Sequence, residues 1–404
     1  MGYQQALSGL SGASSDLDVI GNNIANANTV GFKQGSAQFA DMYASSMATA
    51  VNNQIGIGSR LSEVQQQFSQ GTISTTNQAL DVAINGNGFY QLSSNGSTVY
   101  SRNGVFHLDN TGKIVNSAGL QLMGYAADSK GVVNSASTVP LSVPTSNIAP
   151  SATTKVQTQF NLNSQDATPT TTPFDANDAN SYNTSTSVDV YDSLGGTQKV
   201  SVYFVKNSTG SWDAYTGSGD PVANATKIST LAFDNSGNLQ SGGKVSFSIP
   251  NGADGGATNQ TMTMDFTGTT QYGAKSGVNN VIQDGYTSGE LTGFSVGTDG
   301  TLTGNYSNGK TQALGQIAIA NFNNQNGLQN LGGNVFAQTS ASGAPQVSVP
   351  GSTNHGMLQG GAVENSNVDL TSELVNLITA QRNYQANAQT IKTQQTVDQT
   401  LINL

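Results

Sequence analysis

Apolar side chains follow two different periods along this chain, and the change of period divides it. Near the start, Ala6, Leu10, Ala13, Leu17, Ile20, Ile24 and Ala27 advance in alternating steps of four and three. Such steps keep to one narrow stripe of a helix, the seam along which a second helix packs. The alanines in the stripe let a partner come close. Asn28, Thr29 and Gly31 then interrupt the pattern, so a helix is expected to stop near residue 27. The C-terminal segment repeats the arrangement. Leu370, Leu374, Leu377, Tyr384, Ala388 and Ile391 step by fours and threes, with Gln381 as a polar seam position, and Val397, Leu401 and Leu404 resume the pattern. Asp369 or Thr371 can cap this helix, and Glu373 falls in its first turn, where the dipole favours a carboxylate.

Between the termini the period drops to two. From Leu80 to Leu122 apolar and polar residues alternate and break at Asn85-Gly86, Asn95-Gly96 and Asn103-Gly104, which are hairpin-turn dipeptides. A second punctuation is Asp-x-x-Gly, from Asp109 to Gly112, Asp128 to Gly131, Asp192 to Gly195 and Asp234 to Gly237. There the Asp side chain accepts backbone N–H bonds and the Gly takes the left-handed position. The expected fold class is therefore mixed: a helix at each terminus and an all-β middle built of hairpins.

Composition then sets boundaries. Five of the nine prolines (Pro140, Pro144, Pro150, Pro169, Pro173) fall in one Ser/Thr/Ala-rich stretch, and a Gly/Asn-rich run spans Gly277 to Gly285. Residues 146–285 are expected to form an inserted outer β domain, with 71–145 and 286–358 folding together as an inner one. Nesting of this kind brings both termini to the same end.

The chain carries 14 Lys and Arg against 24 Asp and Glu, a net charge of −10, and only 9% of its residues are charged. Such an acidic chain argues against binding nucleic acid or an anionic membrane surface. No apolar run approaches the roughly 20 residues a membrane span needs, so no membrane insertion is expected. The first 25 residues lack the basic and block-apolar parts of a cleaved signal peptide. There is no cysteine and there are two histidines, His107 and His355, which removes disulfides, thiolate chemistry and most metal sites. Gly304–Thr311 fits the phosphate-loop pattern GxxxxGK[ST] letter for letter. That loop works only between a buried strand and a helix N-terminus, whereas here a turn precedes it and a strand-like run follows. His107 reads as a surface position in a strand, on the face opposite Phe106 and Leu108, and His355 as part of a turn. Asp175, Asp178 and Asp189 lack calcium-loop spacing. No catalytic constellation, cofactor site or metal site is expected.

Four segments carry a family resemblance: Leu17–Asn26 with Gly31-Phe32-Lys33; Leu80–Ile84 with Gly88-Phe89; Tyr100–Gly104; and Glu373-Leu374-Val375 with Ala380–Asn387. With them the chain resembles the bacterial flagellar axial proteins of rod and hook. Val188–Asp192, Val202–Val205 and Gly304–Asn308 narrow the resemblance to the hook family. The motif positions are Gly21, Asn22, Asn23, Asn26, Gly31, Phe32, Gln381, Arg382, Asn383 and Tyr384. The resemblance implies a non-enzymatic subunit of a curved, flexible tube that joins rod to filament as a universal joint. It implies export through the flagellar type III apparatus and an extracellular position in the hook. The implied partners are further copies of the chain, the distal rod protein, the hook cap protein and the hook-filament junction protein. Residues 1–30 with 366–404 would form a coiled-coil inner layer, and 31–70 with 359–365 a joint region, in which Ser45–Val51 departs from the family pattern. The assembly seam would use Leu10, Leu17, Ile20, Ile24, Leu370, Leu374, Leu377, Tyr384, Ile391 and Leu401. The alternatives are a distal rod or hook-associated axial protein and, from other classes, a secreted β-rich adhesin or a nucleotide hydrolase resting on Gly304–Thr311.

Overall fold

A computed structural model describes residues 2–42, 56–144, 146–219, 221–249 and 259–402. Ser45–Val51 and Leu404 lie outside the described residues. The chain is mostly β-sheet with a helix at each end, α1 (Gly2–Ala25) and α2 (Leu370–Ile402). It divides into two compact units, one of residues 1–145, 293–304 and 312–404, the other of residues 146–292 and 305–311.

In the first unit α1 gives way to turns at Asn26, where the asparagine N–H is shared between the carbonyls of Asn22 and Asn23. Gly31 then takes φ +71°, and a Cβ there would lie 2.7 Å from the Asn103 backbone, so only glycine fits. Next come β1 (Gly35–Met42) and β2 (Gly58–Gln66), an antiparallel ribbon with a bulge at Gln38/Phe39. Two further pairings tie distant parts of the chain together: Ile73–Thr75 with Ala362–Glu364, and Val82–Asn85 with Met357–Gly360. The main sheet of this unit is built on Phe89–Ser94, which pairs with Ser97–Ser101 on one side and with Gln121–Ala126 on the other. Asn95 and Gly96 both have positive φ at the hairpin tip. Phe89, Tyr100, Phe322, Phe336 and Phe68 pack edge to face in the core beneath it.

The second unit is a sandwich of two five-stranded sheets. One is a meander running from Thr184–Tyr191 to Leu239–Ser241. The other centres on Lys155–Asn163, which pairs in parallel with Gln260–Asp265 and Thr270–Tyr272 and antiparallel with Gly277–Gln283. Alternate residues of both sheets, among them Val156, Phe160, Val200, Val202, Phe204 and Trp212, close one continuous core. All four Asp-x-x-Gly turns form. In the turn at Asp192 one carboxylate oxygen accepts the N–H groups of Leu194 and Gly196 at 2.9 and 2.7 Å, and Gly195 has φ +86°.

Candidate assembly surface

The two terminal helices pack on each other and run antiparallel, since Gly9 of α1 faces Asn387 of α2 while Gln34, just past α1, bonds Glu373 near the start of α2. Approach is closest at Gly9, where an added Cβ would stand 2.7 Å from Asn387 Oδ1. Ala6, Ala13 and Ile20 are buried, and Leu10, Leu17 and Ile24 are half-buried. The β1–β2 ribbon also packs against α1, and Gln5 Nε2 donates to the Gly56 carbonyl at 2.7 Å.

On α2 the stripe turned toward the rest of the chain differs from the expected seam. Glu373 and Ala380 are buried, and Leu377, Asn387, Ala388, Ile391 and Gln394 are partly covered. Leu370, Leu374 and Tyr384 are 48, 45 and 38% exposed, and Val375, Ile378 and Val397 are open to solvent as well. Leu377 and Ile391 thus sit on the inner stripe while Leu370 and Leu374 do not. Small side chains stand at the close helix contact, Ala380 and Asn387 among them, and Leu370 and Leu374 are turned outward. Leu401 lies in the last turn of α2, and its side chain is outside the described residues.

Where the chain leaves α1 and returns to α2, three charged side chains meet in the interior. Lys33 Nζ lies 2.7 Å from Glu364 Oε1, and Arg102 Nε lies 3.0 Å from Oε2, all three side chains being almost wholly buried. Gly71 N–H also donates to Oε1 at 2.9 Å. Arg102 Nη2 donates to Oε1 as well, at 3.3 Å, and further donors go to backbone: Lys33 to Ser69 C=O, Arg102 Nη1 to Gly86 and Gly88 C=O. Burial by itself would raise the Glu364 carboxyl, but Arg102 and Lys33 hold it below the usual carboxylate range. Burial and repulsion from Arg102 pull Lys33 below its ordinary value, with Glu364 opposing them. Around this centre Asn367 Oδ1 accepts the Gln34 N–H at 2.8 Å, and its amide donates to Gln67 C=O at 2.8 Å. Glu364 was not among the expected site residues. Its partners Lys33 and Arg102 do lie in segments that carry the family pattern.

The motif positions divide between structural and exposed roles. Asn23 is buried and exchanges two hydrogen bonds with Gly35, accepting at 2.9 Å and donating at 2.8 Å. Asn22 and Asn26 bond each other on the surface, Gly31 makes the turn, and Phe32 is half-buried. Gly21, Gln381, Arg382 and Asn383 are exposed. Within the phosphate-loop look-alike, Tyr306 N–H donates to Lys310 C=O, Gly309 N–H donates to Tyr306 C=O, and Gly309 has φ +75°. Lys310 lies over the Tyr286 ring, and the strand Thr311–Ile317 follows, so this is a hairpin turn with no helix N-terminus to meet a phosphate. His107 is exposed beside buried Phe106; Leu108, expected on the buried face, is 37% exposed. The His355 ring nitrogens each lie 2.9 Å from a carbonyl oxygen, Nδ1 from Thr353 and Nε2 from Gln346.

Four family models match successive parts of the chain. Residues 4–33 match the family "Flagella basal body rod protein", and 83–162 match "Flagellar hook protein FlgE/F/G D1 domain". Residues 161–286 match "Flagellar basal body protein FlaE D2 domain", and 359–404 match "Flagellar basal body rod FlgEFG protein C-terminal". The chain is 47% identical to the flagellar hook protein FlgE of Salmonella typhimurium over 413 residues, covering 100% of both chains. It is 46% identical to that of Escherichia coli K12, again covering 100% of both, and 32% identical to that of Treponema pallidum, covering 98% of both. Among solved structures, the Helicobacter pylori flagellar hook protein FlgE2 shares the fold, with a TM-score of 0.52 and 14% identity over 71% of this chain and 99% of that one. The chain belongs to the flagellar hook protein family.

Proposed function

We propose that the chain is a structural subunit of the bacterial flagellar hook that polymerises into a helical tube through its paired terminal helices. The observation that carries this reading is the outward apolar surface of α2: Leu370, Leu374, Val375, Ile378 and Val397 are each close to half exposed or more. Apolar positions spaced along a helix with few charges beside them call for cover by other helices. Further copies of the same helices supply that cover, and the seam residues Leu10, Leu17, Ile24, Leu370, Leu374 and Tyr384 then form subunit contacts. In this reading the helices make the inner layer of the tube and the β units its wall. The tube acts as a universal joint, its subunits exchanging uncharged polar contacts as it turns. The distal rod protein, the cap, the junction protein and the type III export apparatus are its partners during assembly.

The test is electron microscopy of the full chain after seeding with sheared polymer. Wild type should elongate into tubes. Leu374→Asp and Ile378→Asp should not, with both β units still folded, because a carboxylate buried between helices costs several kcal/mol. Normal tubes from both variants would overturn this use of α2.

A further inference from the structure

A cleft of about 250 Å³ opens where α1, the start of β1 and α2 meet. Asp16 reaches it from α1, Gln34 from the approach to β1, and Glu373, Asn376 and Thr379 from α2. It contains two carboxylates and no cationic side chain. Glu373 is 1% exposed. Its Oε1 accepts a hydrogen bond from Gln34 Nε2 at 2.5 Å, whereas Oε2, also buried, has no hydrogen-bond partner among the described residues. Asn23, also at the cleft, already spends both ends of its amide on Gly35. Burial raises the Asp16 carboxyl above its ordinary value, as befits an acid lacking a countercharge. The chain therefore does not complete its own site.

The two terminal helices carry only two cations, Arg382 and Lys392. Neither makes an ion pair among the described residues. Arg382 is nine residues beyond Glu373, which is about 13.5 Å along the axis and half a turn around it. Within its own chain it thus points to the opposite face of α2 and cannot reach the cleft. We propose that the cleft of Asp16 and Glu373 is a socket for Arg382 of a neighbouring copy in the polymer, a reading that rests on self-assembly through these helices. A planar guanidinium has enough donors to satisfy Glu373 Oε2 and the Asp16 carboxylate together. Lys392 offers a point charge and no such fork. The site is incomplete in the monomer and complete only in the tube, so the ion pair sets the register in which copies add, which apolar contact alone leaves loose.

The test is a double-mutant cycle on seeded polymerisation of the full chain, with the critical concentration read by sedimentation. Arg382→Gln and Glu373→Gln should each raise it about tenfold, equivalent to roughly 1.4 kcal/mol. The double variant should be no worse than either single one, because both remove the same contact. Arg382→Lys should recover only part of the loss. Asp16→Asn gives a second probe of the cleft should Glu373→Gln misfold, which thermal unfolding of the monomer reports. Single variants with the wild-type critical concentration, or additive losses in the double, would overturn the proposal. So would calcium or magnesium chloride stabilising wild-type monomer but not Glu373→Gln while Arg382→Gln polymerises normally, since the cleft would then hold a metal ion. Failure of the wild type itself to elongate seeds would instead overturn the self-assembly reading, and the socket with it.

Discussion

Around Glu364, positions 33, 71 and 102 bring two cations and a backbone amide to one carboxylate, and the three charged side chains are almost wholly buried. Such a cluster adds little stability compared with an apolar core of equal volume, yet removing one member strands the others. Glu364→Ala should lower the urea-measured unfolding free energy of the first unit by about 3–5 kcal/mol. Replacing Lys33, Glu364 and Arg102 together by apolar residues should cost distinctly less. The pH dependence follows from the directions of shift. The folded-state value of Glu364 is depressed, so its stabilisation is complete above the unfolded carboxylate value and fades as pH falls through the folded one. Lys33 is also depressed, so charging it opposes folding at neutral pH, and stability rises between its folded value and its ordinary one in the alkaline range. Acid titration of unfolding should therefore show a loss below about pH 4 that is much smaller in Glu364→Gln. An identical acid limb in the variant would mean that the carboxylate is not the group responsible.

Among elements, α2 has a C-terminal end with little support from its own chain. Beyond Ile391 nearly every residue is exposed, and Thr393, Thr396 and Thr400 turn their hydroxyls back to carbonyls four residues earlier. Thr and Asn are weak helix formers, so this end depends on neighbours for its order. Amide exchange in dilute monomer should be fast over residues 392–402 and slow at the same positions in the tube. Slow exchange in the monomer would show that the helix needs no partner. The helix itself was legible in the sequence, from the cap at Asp369 and the steps of four and three, and so were the hairpins at Asn95-Gly96 and Asp192, whose local chemistry fixes the turn. Which side of α2 faces α1 was not, because the steps of four and three select Leu374, which is exposed, and pass over Ala380, which is buried. Glu364 was illegible for another reason: Lys33 lies 331 residues away, and no local pattern records a contact that β pairing alone creates.

At the scale of the whole molecule, the second unit leaves and rejoins the chain through two segments that bond each other. Ile148 N–H donates to Gly289 C=O at 2.9 Å, and Ser151 N–H to Tyr286 C=O at 3.0 Å. Its core, from Val156 to Phe266, is made of its own two sheets. Removing it by joining Ile148 to Gly289 through a short glycine link therefore closes a gap already closed by the fold, and loop closure of a few residues costs little. The first unit retains both helices, the ribbon and the Glu364 centre, so the shortened chain should still fold and still elongate seeds. What it loses, on the function proposed above, is the second unit's share of the contacts between neighbouring subunits. Each uncharged polar contact is worth on the order of 1 kcal/mol net. Repeated along every row of subunits, small differences between such contacts are enough to favour bent over straight packing. Electron microscopy should show tubes from the shortened chain that are straighter than those of the parent. Tubes of unchanged curvature would place the choice of shape in the first unit, and absence of tubes from a folded shortened chain would make the second unit part of the assembly contact itself.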